Sequence, residues 1–218
     1  VLERTPRLWQ PLACLLLALA TLSHTFGVIF AGAALAYLLL VPSMRRGTWA
    51  AALPIAGWLI WWRWAQQFDQ SIAEGGNVLG APVFAVEAFG AAIQAATGFG
   101  PYFGAGLDPL ADVVKVAFLL VAIAALGLLV FRIVAGLATP WLWAYLILGF
   151  GFWLAIGLAE GDQRQPDSPR YLLFGAVVVF LIAAEALRDL RVPPRWRRPV
   201  IAVGVALAVI AIGGNAAR

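Results

Sequence analysis

The chain has 218 residues; 63% are hydrophobic, 12% are charged, and the formal net charge is +4. Soluble domains are about half apolar and a quarter charged, so this composition excludes a soluble globular protein and predicts an all-α integral membrane protein, a polytopic transmembrane bundle in a single domain. All but one of the 15 basic residues are arginines, set in short stretches between apolar runs. That placement orients a membrane protein and argues against nucleic acid as a partner. The arginine excess fits a GC-rich genome, and a bacterial plasma membrane is the expected location. One cysteine, Cys14, lies inside an apolar run, so no intrachain disulfide forms and the redox compartment stays open. The chain starts at Val1 without a methionine or a signal-peptide pattern, and reads as a piece of a longer membrane protein.

Leu8 to Val41 is apolar except at Ser23-His24-Thr25. A hydrocarbon core of about 30 Å needs about 20 helical residues, so this run predicts two short helices, 8–22 and 26–41, meeting at a polar break. Such breaks at membrane depth are tolerated where they line an enclosed cavity. Pro42 to Gly47 is a tight basic loop. The next span, 48–65, crowds Trp58, Trp61, Trp62 and Trp64 around Arg63, with Gln66 and Gln67 following. Tryptophans gather at membrane interfaces, and these rings also suit the wall of a sugar site.

Residues 66–112 form one long loop. Within it, Pro82 to Ala96 has apolar residues at loosely helical spacing with Glu87 and Gln94 among them, which predicts a helix lying in the interface. Asp108 and Asp112 read as a helix start, where carboxylates complement the dipole, ahead of a metal or acid–base pair. Spans follow at 113–134, 140–159, 171–187 and 199–212. Glu185 lies in a span, and Arg188 one turn on predicts a local ion pair. The basic loops 42–47 and 188–199 fall on one side of the membrane if 82–96 does not cross it; the loops 66–112 and 160–170 then face outward, with Ser23, His24, Arg63, Gln66, Gln67 and Arg170.

The polar island Glu160 to Tyr171, EGDQRQPDSPRY, separates two apolar runs. Ser168 or Asp167 is placed to cap the helix that follows, and Pro169 suits its first turn. Arg170 and Tyr171 then stand at the membrane boundary beside the N–H groups of a helix N-terminus, a place that holds a phosphate. Arginines also mark the water interface without binding anything. His24 is likewise placed either to cap the broken helix or to bond a ligand.

The order of an apolar helix, a break written LSHTFG, a second short helix, a basic turn, a span ending LPIAGWLIWWRWAQQ and a later DSPRYLL resembles the GT-C glycosyltransferases, closest to the protein O-mannosyltransferase-like group. The resemblance covers most of residues 8–190. It implies transfer of a sugar from a polyprenyl-phosphate carrier to an acceptor at the extracytoplasmic face, with Arg170 near the lipid phosphate and His24 at the polar break near the site. The acidic base of that family lies in an early extracytoplasmic loop that this chain does not carry, which fits the fragment expectation. A transporter or flippase, which also uses broken helices, and a non-catalytic membrane subunit remain alternatives. The sequence has no Gly-rich phosphate loop and no Cys/His cluster, so neither a cofactor nor a metal site is expected on this chain.

Overall fold

The computed structural model describes residues 9–68, 77–97, 108–158, 165–166, 168–189 and 193–216. These residues form the helices α1 (Trp9–Ser23), α2 (Gly27–Leu40), α3 (Trp49–Ala65), α4 (Asn77–Ala96), α5 (Asp108–Val134), α6 (Pro140–Leu158), α7 (Pro169–Ala186) and α8 (Pro194–Ala216), with no strand among them. Among the described residues three stretches are long and apolar enough to cross a membrane: Asn77–Ala96, Val116–Val134 and Pro140–Leu158. The chain divides into two compact units, Val1–Ala81 with Thr139–Glu160, and Pro82–Ala138 with Gly161–Arg218.

In the first unit the helix break falls at the polar triplet. The hydroxyls of Thr21 and Ser23 donate back to the carbonyls of Ala18 at 2.8 Å and Leu19 at 2.6 Å, local bonds that compete with helix continuation. The His24 N–H closes on the Ala20 carbonyl at 3.1 Å, and Gly27 N–H donates to the His24 carbonyl at 2.7 Å. The chain reverses so tightly that Gly27 lies against the backbone of Ala20 and Thr21, where a Cβ would overlap the Ala20 carbonyl. Helices α1 and α2, of 15 and 14 residues, are each about 22 Å long, short of a full crossing.

Side-chain pairs fix the directions. The Trp49 indole donates to Gln10 Oε1 at 3.2 Å, so α1 and α3 start together and run parallel. Along α2 and α6, Tyr37 meets Trp141 with ring centroids 4.2 Å apart, and Phe26 meets Phe152 at 4.8 Å. Between them a Cβ at Gly32 would touch Ile147, and one at Gly151 would stand 2.9 Å from Ile29 Cγ2. Rising numbers on α2 pair with falling numbers on α6, so these helices are antiparallel. The unit therefore has a turn end, with Gln10, the Pro42–Gly47 turn and Trp141, and a break end, with His24, Phe152 and the last turn of α3.

In the second unit α4 packs on α5 through small residues: a Cβ at Gly90 would be 3.6 Å from that of Ala122. Arg132, 8% exposed near the end of α5, ties three carbonyl or carboxylate oxygens together. It donates to the Ala186 carbonyl at 2.6 Å, the Leu137 carbonyl at 3.2 Å and Asp189 Oδ2 at 3.0 Å. Asp189 is 68% exposed, so that ion pair is worth only about 0–1 kcal/mol. The bond to Ala186, at the negative end of the α7 dipole, dominates at about 1.5–3 kcal/mol. Glu185 and Arg188 form the expected local pair at 3.2 Å.

Several boundaries differ from the sequence expectation. The helix expected at 82–96 begins at Asn77, the span expected at 113 begins at Asp108, and the one expected at 199 begins at Pro194. Pro82 and Pro199 are each the sixth residue of their helix, as Pro54 is in α3, and each forfeits one bond to the second residue's carbonyl. The outer-loop residues 69–76 and 98–107, and residues 160–164 and 167 of the polar island, lie outside the described residues.

The tight reversal makes a paired prediction. Gly27→Ala should cost about 1–3 kcal/mol, the usual scale of overpacking, and lower the melting temperature in detergent. Gly32→Ala, whose Cβ would meet Ile147 Cγ2 at an ordinary 3.9 Å, should leave melting unchanged or raised. Equal effects at the two glycines would contradict the packing at the break.

Candidate functional site

The site begins with the break itself. Phe26 N–H donates to His24 Nδ1 at 3.2 Å, so the histidine caps the reversal and its ring proton is assigned to Nε2. The ring is exposed and leans on Phe26, centroids 4.7 Å apart. Capping and ligand binding are thus compatible: one nitrogen is spent on the backbone, and the other presents an N–H donor. The Ser23 hydroxyl gives its proton to Leu19 and keeps only acceptor capacity.

Beside the break, α1 and α3 leave a cleft of about 560 Å³. That volume is in the range of small-molecule sites. Toward the middle of the helices its lining is small and apolar, from Cys14 and Ala18 on α1 and Pro54 and Gly57 on α3. Toward the break it is polar and aromatic, with Ser23, His24, Thr25, Trp58 and Trp61. The small residues share the cleft because they recur at helical spacing on both helices. From Cys14 to His24 along α1 the cleft runs about 15 Å at helical rise. The Trp58 indole N–H is buried without a hydrogen-bond partner among the described residues. An unmade buried bond costs about 1–3 kcal/mol, a deficit that any acceptor brought within reach would relieve.

The sequence candidates fall into three places. Ser23 and His24 line the cleft. Arg63, Gln66 and Gln67 lie at the same end of the unit but not in the cleft. Leu53, Pro54, Gly57, Trp58 and Trp61 share one face of α3. Arg63, two residues past Trp61, is about 200° round the helix and turned away from that face. Gln66 and Gln67 belong to a separate 3-10 turn, Gln66–Phe68. Arg170 and Tyr171 belong to the other unit. There the Arg170 guanidinium lies over the Tyr171 ring, 4.7 Å from its centroid, as the second residue of α7.

The cap expected at this helix start is different in form. Ser168 occupies the cap position, but its side chain makes no capping bond; the Tyr171 N–H is met by the Ser168 carbonyl at 2.9 Å. Asp167 lies outside the described residues. Arg170 is exposed and makes no ion pair among the described residues, so the edge of its guanidinium is open to an anion while one face rests on the ring. Among the described residues no three His, Cys, Asp or Glu side chains gather where a metal ion would bind.

Sequence reasoning missed Cys14, Ala18, Pro54 and Gly57. The signal was present in their helical spacing. What the sequence lacked was the pairing of α1 with α3, which alone makes those small residues face one another.

No protein-family model, no curated protein and no solved structure matches this chain.

A Cβ at Gly57 would meet nothing within 4 Å, so a larger side chain there fills the cleft without displacing the fold. Gly57→Leu should slow alkylation of Cys14 by a small maleimide severalfold while leaving the melting temperature in place. Alkylation at the wild-type rate would show that the cleft is not the route to Cys14.

Proposed function

We propose that the chain belongs to a membrane glycosyltransferase of GT-C type, moving a sugar from a polyprenyl-phosphate carrier to an acceptor at the extracytoplasmic face. The observation that carries the reading is the cleft at the helix break, small and apolar toward the middle of α1 and α3 and polar and aromatic toward the break. That gradient suits a ligand with a hydrocarbon part and a hydroxylated head. In this reading Trp58 and Trp61 offer ring faces to the sugar, and His24 Nε2–H donates to one of its hydroxyls.

Transfer breaks the bond between the anomeric carbon and the phosphate oxygen and forms one to the acceptor oxygen. The carrier leaves as polyprenyl phosphate with the negative charge. A guanidinium is suited to that charge; within the second unit, taken by itself, Arg170, open at its edge and steadied on Tyr171, is the candidate for a lipid phosphate. The acceptor proton passes to a carboxylate that the family resemblance places outside this chain.

Binding tests this without requiring turnover. Arg170→Ala should weaken capture of a polyprenyl-phosphate-linked sugar in detergent by roughly ten- to a hundredfold, the scale of one charge-assisted bond of about 1.5–3 kcal/mol. Arg170→Lys should recover part, since lysine keeps the charge and loses the fork. Arg164→Ala, in the same polar island, is the control. Equal and small losses at Arg170 and Arg164 would overturn the phosphate assignment.

A further inference from the structure

The described residues of the first unit contain no aspartate and no glutamate, yet they carry Arg45, Arg46 and Arg63. None of these arginines forms an ion pair among the described residues. Their charge is therefore left for something outside that unit to balance. Arg63 stands alone near the end of α3. Arg45 and Arg46 are adjacent and exposed in the 3-10 turn Pro42–Gly47, at the turn end.

The turn holds this pair in a defined place. Arg45 Nε donates to the Leu39 carbonyl at 3.0 Å, in the last turn of α2, where the helix dipole is negative. That bond anchors the near side of the guanidinium and leaves its two terminal amino groups without a bond among the described residues. The Arg45 carbonyl is taken by the Thr48 N–H at 3.2 Å and the Thr48 hydroxyl at 2.9 Å. Gln10 reaches the same turn from α1. Its Oε1 accepts the Trp49 indole N–H, and a Cβ at Gly47 would lie 3.4 Å from its Nε2. As assigned, that Nε2 is one more donor beside the two guanidiniums. Donors thus outnumber free acceptors at this end, and a surface of that kind suits an anion.

The surroundings say which anion. Trp9, Trp49 and Trp141 are exposed on the three helices whose first residues meet there. Trp141 opens α6, which is long and apolar enough to cross a bilayer, and its ring packs on Tyr37 and Tyr145. Indoles at the end of such a helix sit at headgroup level. Leu12 and Leu39, both exposed, lie beside them and offer apolar surface to acyl chains. We infer that the turn end of the first unit binds an anionic phospholipid, its phosphate held by Arg45 and Arg46 and its chains laid along the adjoining helices. A guanidinium matches a phosphate with two parallel bonds, and basic groups beside a membrane helix draw anionic lipid to them. This surface lies at the opposite end of the unit from the cleft and shares no residue with it, so it does not rest on the glycosyl-transfer reading.

Thermal melting of the full chain in dodecyl maltoside tests the inference. The added lipid is dioleoyl phosphatidylglycerol or dioleoyl phosphatidylcholine, which share their chains and differ in net charge. Phosphatidylglycerol should raise the melting temperature and phosphatidylcholine should not. Arg46→Gln should raise the phosphatidylglycerol concentration needed for half of that rise roughly fivefold, and Arg45→Gln with Arg46→Gln roughly thirtyfold, the scale of one and two arginines at an anionic surface. Arg63→Gln should leave it unchanged. Arg46 makes no hydrogen bond or ion pair among the described residues, so Arg46→Gln decides the matter if the double variant does not fold. Equal stabilisation by the two lipids, or equal shifts in Arg46→Gln and Arg63→Gln, would overturn the inference. So would an equal rise with inorganic phosphate alone, because the surface would then recognise phosphate without the lipid.

Discussion

The contact on which the rest depends is the close approach of α2 to α6. Gly151 admits Ile29 where any side chain would collide, and the ring pairs at the two ends of the contact leave one antiparallel register. From that register follows the direction of α6 within the first unit. Helix length and composition report what a segment tolerates, and packing reports which neighbours it has.

Some of this was legible from residues alone. Ser23-His24-Thr25 marked the break because a run that long with a polar centre fits no single crossing, and the hydroxyls do turn back on their own helix. The spacing of Glu185 and Arg188 gave their pair, and Asp108 marked a helix start. The starts expected at 82 and 199 followed the apolar runs, whereas both helices begin five residues earlier, at Asn77 and Pro194. The role of Arg132 in holding the ends of α5 and α7 depends on partners about 55 residues away, Ala186 and Asp189, which no local pattern announces. Arg63 was grouped with the site because it lies among tryptophans; helical phase, which separates it from Trp58 and Trp61, needed the cleft face to be known first.

The cleft joins these threads. The break supplies its polar end, and small residues on α1 and α3 supply its apolar lining. The His24 ring spends one nitrogen on holding the reversal and so presents the other in a fixed direction. A histidine that is both cap and donor is a structural and a ligand-facing group at once, so the two roles weighed from sequence do not compete. A ligand there would be oriented by rigid helices rather than by loops, which limits the entropy lost on binding.

The register of α2 on α6 is tested most directly by cross-linking pairs of cysteines in the Cys14→Ser chain within native membranes. The account predicts that Phe26→Cys with Phe152→Cys, and Tyr37→Cys with Trp141→Cys, cross-link readily on mild oxidation, while Phe26→Cys with Trp141→Cys does not. Efficient cross-linking of the last pair, with none in the first two, would reverse α6. The antiparallel packing of α6 on α2, and with it the placing of Phe152 at the break end, would then fall.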